Sequence, residues 1–270
     1  MISLFHRGDT VYYPENSIEA VISAVRMGAD IIEIDLCLTK DGVLVLLHDA
    51  NDLSQTTDWS AKQGRDGLPT SKVVSDWTLA ELRELRLKKG STVTEYVIPT
   101  FKEVLRVTNG RAKLMLDKTD IWSWNNDVYP VIVETEAWET CILPRQYNLA
   151  TQTSILEQMK ENSGQNNLQV YAFIGFNGTS NAINWDSMRN AGLTPIAYWE
   201  KECVTPAILE AAIQLPAIKG TVRIFGQNHA GASGSSETEE RWELLYNSGV
   251  NIVMTDRGID LQKYIADKFY

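Results

Sequence analysis

No stretch of this chain approaches the roughly 20 consecutive apolar residues that a membrane span requires, so no integral membrane segment is expected. Basic runs are missing too. With 25 Lys and Arg against 35 Asp and Glu, the formal net charge is -10, which opposes binding to a phosphate backbone and excludes nucleic acid as the expected partner. Cysteine is scarce. Cys37, Cys141 and Cys203 lie far apart and form no CxxC, so a zinc knuckle or redox pair is unsupported and reduced, structural thiols are expected. The opening residues Met-Ile-Ser-Leu-Phe-His-Arg-Gly contain no basic n-region, apolar h-region or small-residue cleavage site. The expectation is a cytoplasmic protein by default, and a secreted or periplasmic one if a leader has been removed. Nothing in the sequence specifies an oligomeric state. The Asn-Gly-Thr sequon at Asn177 is a triplet common by chance and carries no weight.

What remains is an ordinary globular composition, 44% hydrophobic and 22% charged over 270 residues. A chain of this length buries roughly three quarters of its unfolded surface and needs no disulfide or metal to fold. Apolar β-branched runs alternate with helical patterns. Strands are expected at Ile2 to Phe5, Asp30 to Leu36, Val43 to Leu47, Lys113 to Leu116, Thr140 to Leu143 and Gln169 to Ile174, then at Pro195 to Trp199, Thr221 to Phe225 and Asn251 to Met254. Helices are expected at Asn16 to Met27, Thr78 to Leu87, Phe101 to Val107, Val128 to Trp138 and Ser154 to Glu161, then at Trp185 to Asn190, Pro206 to Ile213 and Glu237 to Tyr246. Asn51 to Asp76 is polar and reads as a long excursion within one domain spanning residues 1–270. With Val43 to Leu47 as an extra strand, about eight βα repeats remain, the count of a (β/α)8 TIM barrel. A doubly wound open sheet is the runner-up, but the first turn has no GxGxxG to cradle a dinucleotide.

Polar residues gather where the early strands end: His6-Arg7, Glu33 and Asp35, His48-Asp49, and Asp117-Lys118. In a barrel, residues at the C-terminal ends of strands meet on one face, where active sites lie. Residues i and i+2 on a strand share a face, so Glu33 and Asp35 point the same way and Ile32, Ile34 and Leu36 point the other. Two such carboxylates repel each other unless a cation compensates, and a hard divalent ion with oxygen ligands is the simplest one. A solvated pair, or salt bridges to Arg or Lys, is the alternative. The sequence holds only three histidines, and His6 and His48 both fall beside this acid pair. Together they supply the general acid and general base that cleavage of a phosphate ester requires. His229, in a Gln-Asn-His-Ala-Gly stretch, reads as surface loop.

His6-Arg7-Gly8, Pro14-Glu15-Asn16-Ser17, Gly28 to Asp35, Thr39-Lys40-Asp41-Gly42 and His48-Asp49 follow one another in an order and spacing that resembles the glycerophosphodiester phosphodiesterase family. The match is dense over residues 6 to 49 and thin afterward, although Gly249 to Asp256 resembles the family's last strand. The resemblance implies a TIM barrel, one divalent cation (Mg2+ or Ca2+, with Mn2+ also suited), and hydrolysis of a small-molecule glycerophosphodiester to glycerol 3-phosphate and an alcohol. It makes His6 and His48 the acid–base pair, Glu33 and Asp35 metal ligands, and Arg7 a phosphate contact. Glu15 stays open as a metal or substrate contact, and Asn16 or Ser17 is expected to cap the following helix. Where the family commonly carries a third metal glutamate with a lysine two residues later, this chain has Asp117 directly followed by Lys118. Both enter the site only if the strand ends or bulges there. Asp117 is taken as the third metal ligand and Lys118 as a phosphate contact. The family's later Trp-Thr-Val-Asn stretch is absent, and Ala197-Tyr198-Trp199-Glu200 is a weak analogue.

The leading reading is therefore a metal-dependent phosphodiesterase with two-histidine catalysis. One alternative is a phospholipase-like enzyme on inositol or choline lipids, which the negative charge disfavours at anionic membranes. The other is a non-catalytic binding barrel, against which both histidines and the acids stand. The excursion after His48 is expected to form a small cap near the barrel mouth.

Overall fold

Alternation along the strands builds two apolar layers, one inside a ring of strands and one between the ring and its helices. The protein, seen in a computed structural model, is described over residues 1–144, 147–175, 185–198, 223–227, 237–247 and 252–270. The Pro206 to Ile213 helix, Asn177, Trp199, Glu200, Cys203 and His229 lie outside the described residues. The strands are β1 (Ile2–His6), β2 (Ile31–Leu38), β3 (Leu44–Leu46), β4 (Lys88–Lys89), β5 (Thr92–Val93) and β6 (Lys113–Asp117), then β7 (Cys141–Ile142), β8 (Val170–Gly175), β9 (Leu193–Tyr198), β10 (Arg223–Gln227) and β11 (Ile252–Thr255).

The main sheet runs β7-β6-β2-β1-β11-β10-β9-β8, all pairings parallel. Its two ends meet. A parallel bridge joins Leu143 to Ala172, and the Leu143 N–H donates to the Tyr171 carbonyl at 2.8 Å. This is the expected TIM barrel, with β3 folded back antiparallel on β2 as the extra strand. Leu4, Ile31, Met115, Ile142, Ile196, Ile252 and Met254 fill its interior. Their neighbours of opposite parity, Phe5, Ile32, Leu114 and Leu116, pack outward with Val21 and Val25 of α1 (Ile18–Arg26) and with Val104 and Leu105 further along. Each such fully buried side chain contributes about 1.5–3 kcal/mol.

The segment between β3 and the helix at Phe101 builds an apolar cluster of its own. It contains α2 (Trp59–Lys62), a 3-10 turn at Val74–Asp76, α3 (Leu79–Leu82) and the β4–β5 hairpin. Trp77, Leu82, Leu85, Leu87 and Ile98 pack there against Cys37 and Val45 of the β2–β3 hairpin. The indole N–H groups of Trp59 and Trp77 both donate to the Ser71 carbonyl, at 2.8 Å each. The helix expected over Thr78 to Leu87 stops at Leu82. Beyond it, the Arg86 N–H turns to Asp58 Oδ1 and the Leu87 N–H to the Tyr96 carbonyl, which carries Leu85 and Leu87 into the cluster.

The remaining helices are α4 (Phe101–Thr108), α5 (Tyr129–Thr135), α6 (Leu149–Ser163), α7 (Trp185–Asn190), α8 (Glu239–Asn247) and α9 (Gly258–Phe269). α5 is shorter than the Val128 to Trp138 expectation because Glu136 adopts a left-handed conformation that ends it. α6 is longer than Ser154 to Glu161. Asn148 caps its first turn through the Thr151 N–H, and left-handed Gly164 closes it. α9 is not among the helices expected from the sequence. It begins against β1 at Gly258, where a Cβ would lie 2.3 Å from the Phe5 ring.

Candidate active site

The strand parities bring five ionisable side chains to one end of the barrel. Ile31 faces inward on β2, so Glu33 and Asp35 do too; Met115 faces inward on β6, so Asp117 does. His6 shares the parity of Leu4 on β1, and Asp256 that of Met254 beyond β11. Register completes the alignment, pairing His6 with Glu33 and Asp35 with Asp117 across adjacent strands.

The three acids converge. One carboxylate oxygen from each of Glu33, Asp35 and Asp117 lies within 4.8 Å of the others. Glu33 is 2% exposed and Asp35 0%, while Asp117 sits at the solvent edge. Burial, reinforced by the charges of Asp35 and Asp117, pushes the Glu33 carboxyl well above the usual carboxylate range, with Arg7 opposing. Asp35 is held by Asn16, whose Nδ2 donates to Oδ2 at 2.8 Å and whose Oδ1 accepts the Asp35 N–H at 3.1 Å. Its other oxygen, Oδ1, is buried with no hydrogen-bond partner among the described residues. An orphaned carboxylate oxygen within an all-oxygen cluster suits a hard divalent cation such as Mg2+ or Ca2+. Among the described residues no cysteine joins that cluster. Burial first, then the charge of Asp35, pushes the Cys37 thiol up to about 12, which leaves it an inert core group.

Arg7 follows β1 in a left-handed conformation, with φ of 57°. Gly8 comes next at φ 86°, and a Cβ there would lie 2.8 Å from the Ala20 backbone. This turn delivers the Arg7 N–H to Glu33 Oε2 at 3.1 Å and sets the guanidinium between two carboxylates. Nη1 lies 3.0 Å from both Glu15 oxygens, and Nε lies 3.1 Å from Asp35 Oδ2. Burial by itself lowers the Arg7 pKa, but Asp35, Glu15 and Glu33 together raise it, so the side chain stays cationic beside the acid cluster. Glu15 is thus the partner of Arg7. Ser17 is the α1 cap, accepting the Ala20 N–H at 3.1 Å. Asn16 instead braces Asp35, a duty its position before the helix did not reveal.

The histidines differ in their surroundings. His6 Nδ1 meets Asp256 Oδ1 at 2.6 Å, and its Nε2 lies 3.9 Å from Glu33 Oε2. His48 sits in a bend two residues past β3, with Nδ1 3.1 Å from Asp49 Oδ1. The Leu47 N–H donates to the Asp35 carbonyl, which ties the backbone just before His48 to the ligand-bearing end of β2. On β6, regular structure stops at Asp117 and Lys118 takes φ of 60°. The strand end that two adjacent site residues require is therefore present. Among the described residues no hydrogen bond or ion pair joins His48 or Lys118 to the three acids. Asp256 is a site group with no expected role from the sequence, and Asn16 is one expected only as a helix cap. The resemblance of Gly249 to Asp256 to a last barrel strand was the only signal for Asp256.

Known proteins share the early motifs and the fold. Residues 6–129 match the Glycerophosphoryl diester phosphodiesterase family, so the resemblance carried by the early motifs holds well beyond residue 49. A glycerophosphodiester phosphodiesterase of Caldanaerobacter subterraneus is 38% identical over 104 residues, covering 38% of this chain and 38% of that protein. The chain thus spans well under half the length of that curated relative. The crystal structure of a glycerophosphoryl diester phosphodiesterase from Parabacteroides distasonis is similar over 98% of this chain and 86% of its own, at TM-score 0.71 and 26% identity. An Oleispira antarctica phosphodiesterase, solved in complex with the product sn-glycerol-3-phosphate, shares the fold over 98% of this chain and 97% of its own, at TM-score 0.56 and 19% identity.

Proposed function

We propose, from the family match over residues 6–129, that this protein hydrolyses glycerophosphodiesters to glycerol 3-phosphate and an alcohol, using a divalent cation and the pair His6 and His48. The observation that carries the reading is the convergence of Glu33, Asp35 and Asp117, with Asp35 Oδ1 unpartnered, beside the Arg7 cation. Glu33, Asp35 and Asp117 would hold Mg2+, Ca2+ or Mn2+, and such an ion supplies Lewis-acid polarisation of a phosphoryl oxygen. Arg7, fixed by Glu15 and Asp35, presents positive charge to a phosphodiester at the same place. Lys118, turned out of β6 by its left-handed backbone, adds a second cation at the rim. One histidine accepts the proton of the attacking oxygen, and the other donates a proton to the leaving alcohol. Among the described residues no helix is long and apolar enough to cross a membrane.

The segment that follows the Asn51 to Asp76 excursion packs on the loop after β1. Lys89 Nζ donates to the Thr10 carbonyl at 2.7 Å, and the Tyr96 ring lies 6.0 Å from that of Tyr13. The excursion shares an apolar cluster with that segment through Leu53, Trp59 and Val74, and we propose that it selects among alcohols. Release of glycerol 3-phosphate from choline, ethanolamine and glycerol diesters, with and without chelator, tests the proposal. Chelation is expected to abolish release and Mg2+, Ca2+ or Mn2+ to restore it. Release that survives exhaustive chelation breaks the cation assignment, and no release from any diester breaks the activity assignment.

A further inference from the structure

We infer that Asp256 is a positioning residue that fixes the tautomer and orientation of His6, itself anchored by the buried Glu237; this inference rests on the acid–base role proposed for His6. The pair is short and built by topology. Phe5 registers with Thr255 on adjacent parallel strands, so the next residues, His6 and Asp256, emerge side by side. Asp256 Oδ1 then lies 2.6 Å from His6 Nδ1. A carboxylate only accepts, so a neutral His6 carries its proton on Nδ1 and leaves the Nε2 lone pair toward Glu33 Oε2, 3.9 Å away, and toward the substrate. An imidazole without that partner is free to rotate or to take the other tautomer, which turns an N–H where the lone pair should be.

The turn that carries Asp256 is held from behind. Glu237, 7% exposed, accepts the Asp256 N–H on Oε1 at 3.1 Å and the Arg257 N–H on Oε2 at 3.2 Å. The Thr255 hydroxyl donates to the same carboxylate. Thr10, in the loop after β1, donates from its hydroxyl to the Asp256 carbonyl at 3.3 Å. The backbone on either side of the aspartate is therefore tied down without substrate, as an orienting group requires. Neither Asp256 nor Glu237 lies among the three convergent acids.

The test uses the full chain. With only three histidines in the sequence, nitrogen-15 NMR of the imidazoles is assignable by comparison with His6→Ala. With the rings neutral, wild-type His6 is expected to show a protonated Nδ1 and a bare Nε2. Asp256→Asn should lose that preference and lower kcat on glycerophosphocholine at least about tenfold while KM changes less than about twofold, as when a histidine loses its carboxylate orienter. Asp256→Glu should recover part of kcat. A wild-type His6 protonated on Nε2 overturns the inference, and that readout stands even if Asp256→Asn fails to fold. Wild-type kcat in a folded Asp256→Asn overturns it as well. If His6→Ala keeps full turnover, the acid–base reading itself is wrong; if His6→Ala loses turnover and Asp256→Asn does not, only the present inference falls.

Discussion

Replacing Asn16 with glycine isolates the brace behind the acid cluster. Asn16 is 1% exposed and left-handed, with φ of 57°, so glycine accepts its backbone without strain while removing the side chain. Two buried hydrogen bonds to Asp35 go with it. The one from Nδ2 to the carboxylate is charge-assisted and worth about 1.5–3 kcal/mol, and the orphaned Asp35 N–H adds a desolvation cost of about 1–3 kcal/mol. Because the two act on one residue and water refills part of the space, a net loss of about 2–4 kcal/mol is expected in urea unfolding. The second consequence is functional. With Oδ1 already unpartnered, Asp35 keeps, among the described residues, the Arg7 ion pair alone to orient it. Loss of a group that orients a ligand typically weakens metal binding about 10–100-fold, which calorimetric titration with Mn2+ reads directly. An Asn16→Gly protein that binds Mn2+ with wild-type affinity refutes the placement of Asp35 in the cation site, whatever happens to stability.

Other expectations follow from the same contacts. His48→Ala should lower turnover at least about 100-fold with folding intact, and a nitrophenyl diester should recover most of that rate if His48 is the acid. Gly258→Ala drives a methyl into the Phe5 ring, a clash at 2.3 Å, and should cost about 1–3 kcal/mol in chemical unfolding; a neutral substitution refutes the close α9–β1 approach. Burial opposes ionisation of Glu103, yet the Thr100 N–H and Arg83 outweigh it and hold its carboxyl below the ordinary 4.5. Its folded pKa being lowered, Glu103 stabilises at pH values above the unfolded pKa, and the benefit disappears as pH falls through the folded one. The stability gap between wild type and Glu103→Gln should therefore close on acidification below about pH 4.5, and a gap that widens there contradicts the assignment.

Much of the site was legible because strand parity is a local property. Ile31, Glu33 and Asp35 declare one face and Ile32, Ile34 and Leu36 the other, and the structure keeps both assignments. The departure at Asp117-Lys118 was legible in the same way, since two adjacent residues cannot share a face unless the strand stops, and it stops there. What escaped reading depends on distant partners. Asp256 matters through a residue 250 positions away, and Asn16 through a carboxylate 19 positions on, although it looked like a helix cap. The α3 helix is short because Leu85 and Leu87 are drawn into a cluster with the β2–β3 hairpin, a tertiary pull that helical periodicity does not register. The Asn51 to Asp76 excursion reads as polar, yet Leu53, Trp59 and Val74 bury in the same cluster for the same reason. Trp77, just past it, is fully buried beside them.

The most direct test follows glycerol 3-phosphate release by the wild type and by Asp35→Asn across a Mg2+ titration, starting from chelated protein. Asparagine keeps the shape of Asp35 and removes the charge beside Arg7. The wild type is predicted to show no release without cation and a saturating rise with it, and Asp35→Asn to stay near zero over the same range. Superimposable curves for the two proteins, or full release from the chelated wild type, would contradict the account.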